Sequence, residues 1–159
     1  MVCMGNICRS PMAAAVLSNR TAGWTNPRIN VDSSGTGAWH VGQGAHPTSQ
    51  QVWQRAGYEY IHAARQFQAS DFLLTDLILV MDSNNFQNVI KLAESDESRN
   101  KVFYLRSFDK SLISIDPDSA DFSKLEVPDP YNQSVEAYEE TLSMIERAVD
   151  GLLQELTRQ

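Results

Sequence analysis

With 159 residues, 42% of them hydrophobic and 21% charged, the chain is long enough to bury a core without disulfides and has the composition of an ordinary globular domain. A formal net charge of −7 argues against nucleic acid as a partner, because that binding rests on a basic surface that neutralises phosphates. No apolar run approaches the length of a membrane span, no leader is visible, and the two cysteines, Cys3 and Cys8, make no secreted disulfide framework, so the cytoplasm is the expected compartment.

The chain opens on Val2-Cys3-Met4-Gly5-Asn6-Ile7-Cys8-Arg9-Ser10-Pro11, a thiol, a run of small or flexible residues, a guanidinium and a hydroxyl just ahead of a helix-forming segment. If Met4 to Ser10 wrap around one point, their N–H groups converge there and the helix N-terminus adds partial positive charge, which makes a cradle for an oxyanion. Arg9 stands where a planar fork holds two phosphate oxygens, and Cys3 at the floor of the nest shares the field that favours a thiolate. Taken alone, Cys-x5-Arg fits equally a small buried cysteine and a solvated arginine. Four local signals favour the cradle: Gly5 permits a tight loop, Asn6 tolerates a left-handed backbone, Ser10 suits an N-cap and Pro11 suits the first helical position.

In its spelling this stretch resembles the low-molecular-weight protein tyrosine phosphatases, whose signature is Cys-x5-Arg-Ser and commonly reads Cys-x-Gly-Asn-Ile-Cys-Arg-Ser-Pro. The resemblance implies that Cys3 is the nucleophile, that Arg9 clamps the phosphate and that Met4, Gly5, Asn6, Ile7, Cys8 and Ser10 form the substrate-binding loop. It implies no metal and no cofactor. A buried strand of about five residues normally precedes such a loop, and Met1-Val2 supplies only its end, which points to a trimmed, renumbered or misassigned start.

Pro11 to Asn19 reads as a helix, ended by Gly23. Ile29 to Asp32 alternates as a short strand and runs into the loop Ser33-Ser34-Gly35-Thr36-Gly37. By the resemblance, Ser33 holds Asn6 in its strained conformation and Trp39 forms a wall of the substrate cleft. On residues alone the loop also fits an ordinary Ser/Gly turn, and Trp39, in a glycine-flanked loop, is well placed to line a pocket mouth, with folding back on the domain as the alternative. His40 and His46 read as surface histidines. Pro47 to Ala56 reads as a scaffold helix closed at Gly57. By the resemblance, His62, in His62-Ala63-Ala64-Arg65-Gln66, supports the loop from behind; on residues alone it is equally a satisfied structural histidine, and in neither reading does it touch substrate.

The apolar run Leu77 to Met81 suits a strand buried on both faces. Asp82-Ser83-Asn84 reads as an N-cap cluster opening a helix to about Glu94, with capping preferred over a site role for Asp82. Val102 to Leu105 is the next strand, Ser107 to Lys124 a polar loop, and Ser134 to Thr157 a long amphipathic helix. Alternating strands and helices indicate one domain over residues 1–159, an α/β three-layer fold with a mostly parallel sheet of about four strands and helices on both faces. The site then belongs at the carboxyl ends of the strands.

Glu126-Val127-Pro128-Asp129-Pro130-Tyr131 clamps an aspartate between two prolines, in a stiff non-helical loop. On residues alone this is a solvated turn or a functional acid. Thiolate chemistry on an aryl phosphate needs a proton donor for the departing oxygen, and the resemblance places it at Asp129, with Tyr131 as a further cleft wall. Many relatives follow this tyrosine with a second one, where this chain has Asn132.

The activity implied is hydrolysis of phosphotyrosine and other aryl phosphates through a phosphocysteine, with phosphotyrosine-bearing proteins as partners, no nucleic acid, no membrane, and a monomer as the expected state. An arsenate reductase shares the fold and loop but needs further cysteines to relay a disulfide. A phosphotyrosine-binding module without turnover would lack the nucleophile or the acid, and both are here. A curled loop brings Cys8 within disulfide reach of Cys3, which suggests a redox role for it.

Overall fold

The structure, a computed structural model, describes residues 1–116 and 119–158. Four short strands, β1 (Val2–Cys3), β2 (Ser34–Gly35), β3 (Ile78–Val80) and β4 (Val102–Tyr104), form a parallel sheet in the order β2-β1-β3-β4. Between and after them run helices α1 (Arg9–Arg20), α2 (Pro47–Arg55), α3 (Asp71–Leu74), α4 (Ser83–Ile90), α5 (Asp96–Arg99) and α6 (Val135–Leu156).

Strand side chains alternate between faces, and the alternation divides the core in two. Cys3, Leu79 and Met81 join Met12, Val16, Trp53, Tyr138, Ile145 and Val149 on one face, where α1, α2 and α6 pack on each other. Val2, Ile78, Val80 and Val102 join Phe67, Phe72, Val89 and Ala93 on the other, where α4 lies against β3 and β4. This is the three-layer α/β arrangement expected from the alternation of elements. Truncating a wholly buried residue such as Ile145 should cost about 2–5 kcal/mol, lost transfer energy plus a cavity.

Helix α6 approaches the turn after β4 so closely that a Cβ on Gly151 would lie 1.7 Å from the Phe108 carbonyl oxygen. Gly37 does the same for an aromatic ring: a Cβ there would lie 1.8 Å from Trp39 Cζ3, so the indole rests directly on the glycine backbone.

Several boundaries depart from the sequence reading. Ile29 and Val31 pack on the core as expected, but a ladder needs a partner, and β1 pairs with Ser34 and Gly35 rather than with residues 29–32. Helix α1 begins at Arg9 instead of Pro11, with Cys8 at the cap position, so Ser10 is not the N-cap; its hydroxyl has other partners, described below. Helix α4 stops at Ile90 rather than near Glu94, because Ser95 accepts the Ser98 N–H at 3.1 Å and starts α5 as a separate helix. The segment read as a polar loop, Ser107 to Lys124, holds 3-10 turns capped by Asp109 and Ser119; its residues 117 and 118 lie outside those described.

At the amino ends of the strands is a cavity of about 500 Å³, lined by Leu17, Ile29, Val31, Leu77, Leu79 and Leu156 among others. It lies at the opposite end of the sheet from the loop that follows Cys3. Among the described residues no helix is long and apolar enough to cross a membrane.

Candidate active site

The loop between β1 and α1 is turned so that its carbonyls face outward. Cys3 O accepts Thr36 N–H at 2.9 Å, Met4 O accepts Gly37 N–H at 2.9 Å, and Ile7 O accepts His46 N–H at 2.8 Å. Asn6 O accepts His62 Nε2–H at 2.6 Å and Cys8 O accepts the Ser49 hydroxyl at 2.9 Å. Among the described residues, no acceptor meets the N–H groups of Met4 through Ser10. Buried N–H groups are nearly always paired, so a run of them at a helix N-terminus has the form of an anion cradle.

Asn6 makes the reversal possible. It adopts φ 55°, a left-handed conformation that asparagine tolerates better than most residues, and it is wholly buried. Its Nδ2 donates to Ser33 Oγ at 3.0 Å and Ser10 Oγ at 2.9 Å, and its Oδ1 accepts Arg65 N–H at 2.9 Å. Ser33 and His62 thus hold the loop from behind, as the resemblance implied. A Cβ on Gly5 would come 3.1 Å from the His40 ring, so glycine there also lets a histidine read as surface lie against the loop.

The two cysteines differ sharply. Cys3 Sγ lies 3.0 Å from Ser10 Oγ. Because Asn6 donates to that hydroxyl, its proton is free to turn to sulfur or to Ser34 O, 3.3 Å away. Cys8 Sγ points instead to Tyr138 OH, 3.9 Å away in the core, and burial pushes its thiol up to about 12. Cys8 therefore belongs to the cradle through its N–H, with its side chain turned away. Met4 is 39% exposed while Ile7 is buried.

Arg9 is buried, its side chain 2% exposed, between two carboxylates. Nη1 donates to Asp82 Oδ2 at 2.5 Å and to Val127 O at 3.0 Å, Nη2 donates to Asp129 Oδ2 at 3.2 Å, and Nε has no partner among the described residues. Burial alone would lower the guanidinium, but the negative charges of Cys3, Asp129 and Asp82 together outweigh it and hold Arg9 above its ordinary value. Asp82 fills both roles weighed for it: Oδ1 caps α4 by accepting Asn85 N–H at 2.8 Å while Oδ2 fixes Arg9. No local pattern announces the second role, since 73 residues separate the pair.

The loop that carries Asp129 is pinned to the sheet by Val127 N–H donating to Met81 O at 2.7 Å. Pro128 and Pro130 stiffen it, and the Asp129 side chain is 43% exposed. Tyr131 N–H donates to Asp129 Oδ1 at 3.2 Å. Asn132 takes φ 60°, a second left-handed asparagine. Trp39 is 71% exposed and Tyr131 47%, on separate loops that each bond to the loop or to its arginine. His46, read from sequence as surface, stacks on Tyr138 at 5.4 Å and meets Tyr131 edge-on at 5.7 Å. The signal that could have found it is its place before Pro47, the N-cap position of α2.

A cysteine at a strand end, a loop with the form of an anion cradle and an arginine between two aspartates thus stand together beyond the carboxyl ends of the strands. The family model for low molecular weight phosphotyrosine protein phosphatases matches residues 1–159, and the chain belongs to that family of hydrolases. A low molecular weight protein-tyrosine-phosphatase of Streptomyces coelicolor is 43% identical over 154 residues, 96% of this chain and 88% of that one. Low molecular weight protein-tyrosine phosphatase A of Mycobacterium tuberculosis is 37% identical over 155 residues, covering 95% and 86%. Among solved structures, a protein tyrosine phosphatase from Entamoeba histolytica with Hepes in its active site superposes with TM-score 0.85 at 29% identity, covering 99% of this chain and 94% of that one. An arginine phosphatase from Geobacillus stearothermophilus superposes with TM-score 0.80 at 27% identity, covering 99% and 90%.

Proposed function

We propose that this protein-tyrosine phosphatase hydrolyses phosphotyrosine and other aryl phosphates through a phosphocysteine, as one monomeric, cytoplasmic domain over residues 1–159. The observation that carries this reading is the row of donors that meet no acceptor among the described residues, the N–H groups of Met4 to Ser10 together with Arg9 Nε. A bidentate grip uses two adjacent guanidinium N–H groups. Asp82 and Val127 O already occupy Nη1, so the edge left for phosphate is Nε with Nη2, and Nη2 is the nitrogen that Asp129 holds at 3.2 Å. Phosphate binding releases Asp129 from the arginine and leaves its carboxyl free to turn toward the ester oxygen.

Cys3 sulfur attacks phosphorus as the bond to the aryl oxygen breaks, and Asp129 protonates that oxygen as it leaves. The loop N–H groups and Arg9 stabilise the charge on the equatorial oxygens. A water then attacks the phosphocysteine, Asp129 takes its proton, and the Ser10 hydroxyl, 3.0 Å from Sγ, hydrogen-bonds the departing sulfur. No step calls on a metal. Trp39 and Tyr131 are the apolar walls that favour aryl esters. After peroxide has oxidised Cys3 to a sulfenic acid, the Cys8 side chain has to leave Tyr138 and turn toward Cys3 before its thiol condenses with the sulfenic acid and expels water; a Cys8→Ala variant should then recover less activity than wild type when a thiol reductant is added.

The test is turnover of phosphotyrosine with a chelator present, wild type against Cys3→Ser, with phosphoarginine as comparator because one structural neighbour is an arginine phosphatase. Expected are loss of turnover in Cys3→Ser with the fold retained, and faster wild-type turnover of phosphotyrosine. Turnover surviving in Cys3→Ser would remove the mechanism, and preference for phosphoarginine would remove the substrate class.

A further inference from the structure

We propose that His46 is a positioning residue for the acid loop, holding Tyr131, and through it Asp129, in place once phosphate has displaced Asp129 from Arg9. The inference rests on the reading of Asp129 as the acid, but His46 has no part in that reading. Its position is fixed from three directions. Its N–H donates to Ile7 O at 2.8 Å, which ties it to the phosphate loop. Its Nδ1 accepts Thr48 N–H at 3.2 Å, which caps α2. Its ring lies on the buried Tyr138, 5.4 Å between centroids and 21° between planes.

Because Nδ1 accepts, the ring's proton is on Nε2. The same Nδ1 lies 3.3 Å from Tyr138 OH, a second donor that holds the plane of the imidazole. The ring so fixed meets Tyr131 at 5.7 Å and 80°, a favoured T-shaped geometry. Among the described residues it is the ring that Tyr131 contacts.

Among the described residues the acid loop beyond Val127 is held in three ways: Arg9 to Asp129; Gln133, with Nε2 to Asp129 O at 2.7 Å and its N–H to Pro130 O at 2.9 Å; and Tyr131 against His46. Phosphate takes the first. The second holds the backbone, and Tyr131 N–H to Asp129 Oδ1, at 3.2 Å, orients the carboxylate. The orientation of Asp129 during catalysis therefore depends on where Tyr131 sits, and His46 sets that.

Two substitutions separate the ring from the cap. His46→Asn keeps an oxygen near the place of Nδ1, so the α2 cap survives while the ring is lost. His46→Phe keeps the ring and loses the cap. The experiment measures kcat/KM for phenyl phosphate, a poor leaving group, and for p-nitrophenyl phosphate, a good one, with thermal melts of each variant. An edge-to-face pair of this kind corresponds to roughly a 2- to 12-fold effect. His46→Asn should lose about that factor on phenyl phosphate and less on p-nitrophenyl phosphate with an unchanged melt, whereas His46→Phe should melt lower but keep the wild-type ratio of the two substrates. In an Asp129→Asn background, His46→Asn should no longer change that ratio. An unchanged ratio in His46→Asn, while Asp129→Asn alone changes it, would overturn the role of His46 and leave the acid intact. A ratio unmoved by Asp129→Asn would instead overturn the acid on which the proposal rests.

Discussion

Among the described residues two arginines are set between two aspartates, and one of them has the makings of a site. Arg65 spends every nitrogen: Nε and Nη2 on Asp32 at 2.9 and 2.6 Å, Nη1 on Asp71 at 2.9 Å and on Gln66 O at 3.4 Å. Arg9 is the more buried, 2% of its side chain exposed against 38% for Arg65, yet it keeps Nε unpaired and holds Asp129 loosely. Like compositions thus serve different ends, since a saturated cluster fixes backbone while an unsaturated one retains affinity for an anion. Cavity size points the wrong way, because the cavity of about 500 Å³ borders Arg65 and Asp32 rather than Arg9.

The comparison breaks most readily at Asp129. Asp129→Asn removes the acid and should slow poor aryl leaving groups by about 10²–10⁴-fold, with the loss shrinking as the leaving group becomes more acidic. Steady-state rates across a series of aryl phosphates check this, and an equal loss along the series would reduce Asp129 to a loop-shaping residue.

The two arginines can be set directly against each other. Arg9→Lys loses the fork and should lower kcat by about 10²–10³-fold, whereas Arg65→Lys should leave it nearly unchanged. Inorganic phosphate at roughly a hundred times its Kd should raise the wild-type melting temperature by about 5–10 °C. That rise should persist in Arg65→Lys and vanish in Arg9→Lys. If both variants lose it, the distinction between saturated and unsaturated clusters fails.

The smallest effect lies in the support behind the loop. Burial lowers the His62 imidazole, against the opposing influence of its bond to Asn6 O and of Asp32. The folded chain therefore binds a proton at His62 less readily than the unfolded chain. Stability present above the unfolded value of about 6.5 is lost as pH falls through it toward the lower folded value. Thermal melts between about pH 7.5 and about pH 5 should show a component of loss that His62→Gln lacks; identical pH profiles would show that His62 titrates alike folded and unfolded.

What was legible in the sequence was local. Loop, following helix and proline-clamped aspartate each carry their signals within a few residues, and the alternating apolar runs gave the layers. What was illegible depends on partners far along the chain. The Ser10 hydroxyl reads as a cap until Cys3, Asn6 and Ser34 are seen to claim it. The strand expected at 29–32 moved to Ser34–Gly35 because pairing with β1, rather than alternation, decides where a ladder forms. His46 looked like a surface histidine because its contacts, Tyr131 and Tyr138, lie at least 85 residues away.

The indole that rests on Gly37 has a consequence for variation. Its height above the loop is set by the absence of one methyl group at a neighbouring position, since a Cβ there would sit 1.8 Å from the ring. An alanine at 37 would tip the ring outward without altering the tryptophan, the nucleophile or the arginine. With Trp39 as the cleft wall proposed above, the width of the mouth becomes adjustable at a residue with no side chain, which would give descendants of this sequence a way to admit differently shaped esters while the rest of the site stays as it is.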